Sequence, residues 1–323
     1  MNSTLNIAAV VIHYHPTEQD WENTYYLSQF VPVLVVDNSE QDGRQPNDSK
    51  ATQVEINAPS DVSTYPIVII ENGMNRGVAK ALNQGIGYWQ SKNIDWCFLF
   101  DQDSKISPNF VQEMLSPILE SQPQQMNNVA AWVPKYFATN LNGYGSAIQV
   151  SKWRIKRSSV CHIDGQEVKS NGLSVSYAIT SGSLINMNVF DAIGIHDESL
   201  FIDFVDIEWG LRANAKGYGL RMNTDATLTH ELGGEPIKWL GKRVVNHSPM
   251  RHYYYFRNVC HLLKMPHIPT VWKLTELYKL PIRFGFYALL GTQRKQHVKA
   301  MLSGLKDGLN NKTGKRNEST DHR

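Results

Sequence analysis

The chain has 323 residues, 41% hydrophobic and 19% charged, with a net charge of +2 at neutral pH. It is long enough to bury a large α/β core, and too apolar for an intrinsically disordered polypeptide. Its three cysteines, Cys97, Cys161 and Cys260, are far apart and form no Cys-x-x-Cys pair. That argues against a disulfide framework or a structural zinc site and points to a reducing compartment.

Residues 1–12 lack the basic stretch and cleavage site of a secretory signal, so a mature, cytoplasmic start is expected. No run approaches the roughly 20 apolar residues that span a bilayer. Residues 7–14 form an apolar run closed by His15-Pro16, a first buried strand. A helix over 18–28 and a second strand over 32–36 follow, the strand running into Asp37-Asn38-Ser39. Residues 40–61 are polar and turn-rich and are expected to be a loop. A third strand at 67–70, a helix over 77–92 and a strand at 96–100 complete the first half. Such alternation predicts a Rossmann-like, doubly wound, mostly parallel sheet flanked by helices. These sheets bind ligands at the carboxyl ends of their strands. His13-Tyr14, Asp37 and Asp101-Gln102-Asp103 lie at such ends and are expected to converge on one crevice.

Asp101 and Asp103 end the strand one residue apart, on the same side if the backbone stays extended. Two carboxylates so placed repel unless a cation lies between them, and a hard divalent ion with open positions for phosphate oxygens satisfies both. The alternative is a strand-end turn whose aspartates cap backbone amides. Upstream, Gly73 and Gly77 flank Asn75-Arg76. There a helix can start close to the sheet, its first amides and Arg76 holding a pyrophosphate. The dinucleotide pattern Gly-x-Gly-x-x-Gly is absent after the first strand, and a plain strand-to-helix turn is the bland alternative.

Asp37-Asn38-Ser39, Asn75-Arg76-Gly77 with Ala81 and Asn83-Gln84-Gly85, and Asp101-Gln102-Asp103, in this order and spacing, resemble family 2 glycosyltransferases of the GT-A fold. The resemblance implies a nucleotide-sugar donor bound through Mg2+ or Mn2+. It places His13, Tyr14, Asp37, Asn75 and Arg76 on the nucleotide side, Asp101 near the ribose or sugar, and Asp103 on the metal. Thr180-Ser181-Gly182-Ser183-Leu184-Ile185 resembles the family's donor-sugar segment, giving Ser181 and Gly182 as contacts. Residues 201–212, Phe-Ile-Asp-Phe-Val-Asp-Ile-Glu-Trp-Gly-Leu-Arg, resemble the acidic motif that supplies the base. The usual Glu-Asp is here Val205-Asp206, so Asp206 takes the base position, with Asp203 and Glu208 as acidic alternates. Glu208 and Arg212 are equally an ordinary i,i+4 helix pair. His230, at the end of an expected strand over 226–230, corresponds to a histidine that can complete the metal site. Arg-His-Tyr-Tyr-Tyr-Phe-Arg-Asn at 251–258 is similar to bacterial rhamnosyltransferases of this family. By that likeness the donor is dTDP-L-rhamnose, with Arg251 and Arg257 on the pyrophosphate and Tyr254 stacked on base or sugar. Another donor, a UDP-hexose or a furanose, and a non-catalytic glycan-binding scaffold are the alternatives.

The resemblance runs from about residue 7 to residue 263, and the expected transferase domain is residues 1–263. Residues 264–323 carry 12 lysines and arginines against 4 acids, on a body of opposite sign. Over 264–311, aromatic and aliphatic residues mixed with cations suggest a helical extension resting on an anionic membrane surface. Packing on the transferase domain or in a homodimer explains the same residues. With the basic excess confined there, nucleic acid is not an expected partner. Residues 312–323 are polar and expected to be disordered. The resulting expectation is an inverting transferase at the inner face of the cell membrane, acting on a lipid-linked glycan.

Overall fold

A computed structural model describes residues 5–40, 52–56, 64–160, 162–163, 166–167, 172–230, 234–239 and 242–316. The first apolar run forms β1 (Ile7–His13), buried from Ala8 onward because it lies between two parallel neighbours and has no solvent face. Thr17 and Asp20 form a reciprocal capping box that starts α1 (Glu18–Leu27). Next come β2 (Val33–Asp37), β3 (Thr52–Ile56), β4 (Ile67–Glu71), α2 (Val78–Gln90), β5 (Trp96–Asp101) and α3 (Phe110–Leu119). The second half adds β6 (Val129–Ala138), β7 (Leu173–Val175), β8 (Ser183–Asn186), α4 (Val205–Ala215) and β9 (Gly219–His230).

The main sheet runs β7-β9-β6-β8-β5-β1-β2-β4-β3, with Gly143–Tyr144 pairing on β6 as its tenth strand. β5, β1, β2 and β4 are mutually parallel, as are β9 and β6. β8 is antiparallel to both β5 and β6, which makes the sheet mixed. Alternate residues of β1 feed different cores: Ala8, Val10 and Ile12 pack on one face, Ala9 and Val11 on the other. β3 corrects the expected loop over 40–61. Four of its five residues are exposed, so its pairing rests on backbone bonds to β4 and leaves no apolar signal in the sequence. The rest of that loop, residues 41–51 and 57–61, lies outside the described residues.

Three helices follow: α5 (Pro249–Lys264), α6 (Thr270–Leu290) and α7 (Arg294–Leu309). α5 and α7 approach closely because Gly304 and Gly308 have no side chain. A Cβ on Gly304 would lie 2.2 Å from the Tyr253 carbonyl oxygen, and one on Gly308 2.7 Å from that of Arg257. Trp272, Leu280, Tyr287 and Met301 join the same buried cluster as Ala8 and Val10. The extension is therefore built onto the sheet domain on its inner side. Residues 312–316 also pack, against the expectation of disorder. Lys312 pairs with Asp307 at 2.9 Å and its carbonyl bonds His261 Nε2 at 2.8 Å, while the Arg316 amide donates to Tyr254 Oη at 2.9 Å. Residues 317–323 lie outside the described residues.

Candidate active site

A cavity of about 630 Å³ opens at the carboxyl end of β5, lined by Asp101, Asp103, Asp203, Asp206, Arg251 and Arg283 among others. Phe98, Leu99 and Phe100 bury β5 up to the point where Asp101 meets the cavity. The turn that follows is fixed from beneath. The Asp101 amide donates to Ser181 Oγ at 3.1 Å, and Ser181 Oγ hydrogen-bonds Ser104 Oγ. Ser181 is fully buried, so it supports the turn and does not face the cavity. Gly182, at φ +78, passes so close to the sheet that a Cβ would sit 2.8 Å from Pro134 Cγ. From this segment Ile179 and Thr180 line the cavity. Gln102, to which the sequence assigns no role, ties the turn to the next loop. Its Oε1 accepts the Tyr14 amide at 2.7 Å and its Nε2 donates to Asp20 Oδ2 at 3.2 Å.

Across the cavity stands the start of α4. Asp206 lies in its first turn, where the Ile207 amide donates to its Oδ1 at 2.8 Å. Burial pushes the Asp206 pKa up from 3.8 to about 6. The Ile207 amide opposes that shift, while the neighbouring carboxylates of Asp101 and Asp203 add to it. Asp203 faces the same cavity but is forked to Arg251, whose Nε lies 3.0 and 3.1 Å from its two oxygens. Glu208 is 2% exposed and bidentate with Arg212, at 2.9 Å on both arms. It is a structural ion pair outside the cavity, which removes it as an alternate base.

The nucleotide-side residues are only partly brought together. His13 is a correction: it is fully buried, hydrogen-bonds Thr24 Oγ1 at 3.0 Å and meets the Trp21 ring edge-on. Burial lowers its pKa to about 4, against the pull of Asp37 and Asp20, so it is a neutral core residue. Asp37 closes β2 by accepting the Ser39 amide at 2.8 Å and the Ser39 hydroxyl. Tyr14 is exposed and interacts with both Glu40 and Asn75, joining the loops after β1, β2 and β4. Asn75 Oδ1 accepts the Gly77 amide at 2.9 Å, and Arg76 is half-buried beside it.

The expected anion site at the start of α2 is also corrected. The Val78 amide donates to the Phe201 carbonyl at 2.7 Å, so this helix end is already capped by the turn before α4. Gly77 permits that approach at φ +86, where a Cβ would lie only 2.5 Å from Phe201 Cδ2. Gly77→Ala is expected to destabilise the fold by at least about 2 kcal/mol in urea denaturation, from left-handed strain plus overlap.

Tyr254 and Arg257 lie outside the cavity. Tyr254 is buried and stacked on Phe201, with the Arg257 guanidinium 4.8 Å over its ring. Arg257 is 1% exposed and donates to the carbonyls of Ser199 and Leu200, which leaves it no reach to a diphosphate. In exchange the fold supplies cavity residues that no sequence motif marks. Arg283, read with the basic tail, stacks 3.9 Å over the Tyr255 ring, and both line the cavity beside His247.

For a divalent cation the described residues offer Asp101 and Asp103 as hard oxygen donors. Among those residues no three His, Cys, Asp or Glu side chains form a ready cage. Two hard oxygen donors suit an ion of the Mg2+ or Mn2+ kind, which keeps positions for substrate phosphates. β9 ends at His230, and the Lys105–Thr229 bridge sets this strand end antiparallel to the chain just past Asp103. The side chain of His230 lies outside what is described.

The mixed sheet with its flanking helices is shared with solved structures. The crystal structure of S. aureus TarS 1-349 matches with a TM-score of 0.52 at 12% identity, covering 94% of this chain and 81% of that one. That of GalNAc-T7 with UDP, GalNAc and Mn2+ matches at 0.52 and 13%, covering 96% and 57%. At such identities the likeness shows the fold. Residues 27–162 match the family described as Glycosyl transferase family 2, a match that supports reading the chain as a glycosyltransferase. More particularly it is rhamnosyltransferase-like: it is 29% identical over 321 residues to the dTDP-rhamnosyl transferase RfbF of Shigella flexneri. That match spans 95% of this chain and 97% of that protein.

Proposed function

We propose that the chain transfers L-rhamnose from dTDP-L-rhamnose to a hydroxyl of a glycan acceptor, inverting the anomeric centre. The likeness to RfbF supports the donor. The observation that carries the chemistry is Asp206, a cavity-lining carboxylate with its pKa raised to about 6, near enough to neutrality for a general base. Asp206 takes the proton of the acceptor hydroxyl as that oxygen attacks the anomeric carbon. The bond to the diphosphate breaks on the opposite face, so one base suffices. Arg251, steadied by Asp203, and Arg283 stand in the cavity as counter-charges for the departing diphosphate. A cation held by Asp103 and His230 would supply further neutralisation of that charge. The test is a transfer assay read by product mass, with a panel of nucleotide sugars in thermal melts. The true donor stabilises most, and a UDP-hexose or furanose nucleotide that stabilises more than dTDP-rhamnose overturns the donor assignment.

The acceptor in this reading is lipid-linked and met at an anionic membrane surface. No helix among the described residues is long and apolar enough to cross a membrane. α6 instead turns outward a row of exposed Leu274, Leu277, Tyr278, Ile282 and Leu289, and exposed Arg294, Lys295 and Lys299 follow at the start of α7. Apolar residues beside cations suit a surface of anionic headgroups. Vesicles containing phosphatidylglycerol are expected to sediment the protein in a salt-sensitive way, and neutral phosphatidylcholine vesicles to leave it in solution. The double change Leu277→Glu, Ile282→Glu should cut vesicle binding about tenfold, roughly 1.4 kcal/mol, and spare transfer to a soluble acceptor. Binding indifferent to lipid charge sinks this part, and a dimer lost in the double variant assigns the face to self-association.

A further inference from the structure

Asp206 is reached through a turn that a polypeptide does not adopt unaided. Phe201, Asp203 and Phe204, none of them glycine, stand at φ +64, +64 and +67. Backbone of this kind is strained for any residue with a Cβ and persists only where its surroundings over-determine it. Here they do, through the carbonyls. The Phe201 carbonyl accepts the Val78 amide from the start of α2. On the other side α5 presents Arg257 and Asn258, side by side and buried. Asn258 Nδ2 lies 2.9 Å from the Leu200 carbonyl oxygen, 2.7 Å from that of Ile202 and 3.0 Å from that of Asp203. Its Oδ1 accepts Arg257 Nε at 3.0 Å, which fixes the amide so that both N–H bonds face the turn. Arg257 Nη2 donates to Leu200 at 2.9 Å and to Ser199 at 3.2 Å, and the Ser199 carbonyl also takes the Gly314 amide at 2.9 Å. Five consecutive carbonyls, 199 to 203, are thus held by groups outside the turn.

We infer that Asn258, oriented by Arg257, is a positioning residue: it pins the strained turn and so sets where Asp206 stands in the cavity. The inference rests on Asp206 being the base. It replaces the diphosphate-binding role expected of Arg257, and gives this side chain and Asn258, which do not themselves line the cavity, a place in the reaction. Asparagine suits the task because one amide offers two donors to a carbonyl cluster. Aspartate of the same size would turn a negative oxygen toward three carbonyl dipoles.

The test pairs kinetics with amide exchange. In Asn258→Ser and Asn258→Asp, kcat with dTDP-rhamnose should fall about 100-fold, the scale of a misplaced catalytic group. The donor KM should stay within about threefold, since Asp103, Arg251 and Arg283 remain in place. A folded Asn258→Ser with kcat within about threefold of wild type overturns the inference. Should neither variant fold, native-state exchange of the wild-type chain decides. The Val78 amide, bonded to Phe201, and the Glu208 amide, bonded to Phe204 at 2.8 Å, should be protected as strongly as that of Val259 in α5. Exchange at least about 100-fold faster than Val259 means the turn opens independently, and the clamp is refuted. This readout needs no donor, so it stands apart from the base assignment, which fails on its own if Asp206→Asn keeps transferring sugar.

Discussion

Asp206→Asn is expected to lower kcat roughly a hundred- to ten-thousand-fold, the usual contribution of a positioned general base, while donor affinity stays near that of wild type. The substitution keeps the size of the side chain and an oxygen to accept the Ile207 amide, and removes only the ability to take a proton. Donor binding is expected to survive because Asp103, Arg251 and Arg283 stand on other elements around the cavity. Transfer assays and donor titrations on one preparation check both halves, and wild-type turnover in the variant would falsify the base assignment.

The same variant should be more stable than wild type at neutral pH. The folded pKa of Asp206 lies near 6 and its ordinary value at 3.8, with burial the leading cause. Below about pH 3 the group is protonated in both states and makes no difference. As pH rises toward 6 the unfolded chain releases the proton first, so native stability is lost, and above 6 the loss is complete. Its size is on the order of 2–3 kcal/mol, since each tenfold difference in proton affinity is worth about 1.4 kcal/mol. Asparagine removes this penalty, so the gain in urea denaturation should be present at pH 7.5 and vanish near pH 3. Activity has the opposite sign: kcat of the wild type should rise through an acid limb near pH 6 as the carboxylate ionises. A base held at a cost to the fold is the stability–activity trade expected of a working site.

Much of the frame is legible in the sequence because β1, β2, β4 and β5 are buried on both faces and spell themselves as apolar runs ending in polar residues. β3 is silent, since an exposed edge strand is held mainly by backbone bonds, with only Ile56 packed on the core. Residue order along β5 also puts Asp101 and Asp103 together at its end, while the stretch that opens α4 is reached only through the resemblance to family 2 glycosyltransferases. What it does not convey is which way a terminal side chain turns. His13 and Tyr14 are adjacent at the end of β1, yet alternation sends His13 into the core beside Thr24 and leaves Tyr14 exposed. Arg251 and Arg257 look equivalent in one motif. Six residues apart on α5 they face different surroundings, Asp203 at the cavity for one and buried carbonyls for the other. Arg283 shows the converse, a residue without a motif that the packing of α6 on the domain brings to the site.

The second large effect concerns the cation. Asp103→Ala is expected to weaken binding of dTDP-rhamnose about tenfold or more, near 1.4 kcal/mol, and to abolish its dependence on added Mg2+ or Mn2+. Asp103 lines the cavity with Asp101, and a cation on carboxylates keeps coordination positions that the diphosphate oxygens can fill. Cation and donor should therefore bind together, each raising the affinity of the other by the same factor. Calorimetric titration of donor with and without EDTA, on wild type and variant, makes a thermodynamic cycle. If Asp103 acts through the cation, removing both costs no more than removing either. Asp101→Asn separates the neighbouring acid. Losing its negative charge should move the acid limb of kcat downward, because Asp101 is one of the groups that raise Asp206. Donor affinity indifferent to EDTA would remove the cation from the reading. The diphosphate would then face only Arg251 and Arg283, and Arg283→Ala, otherwise a modest change, would become the more damaging substitution for donor binding.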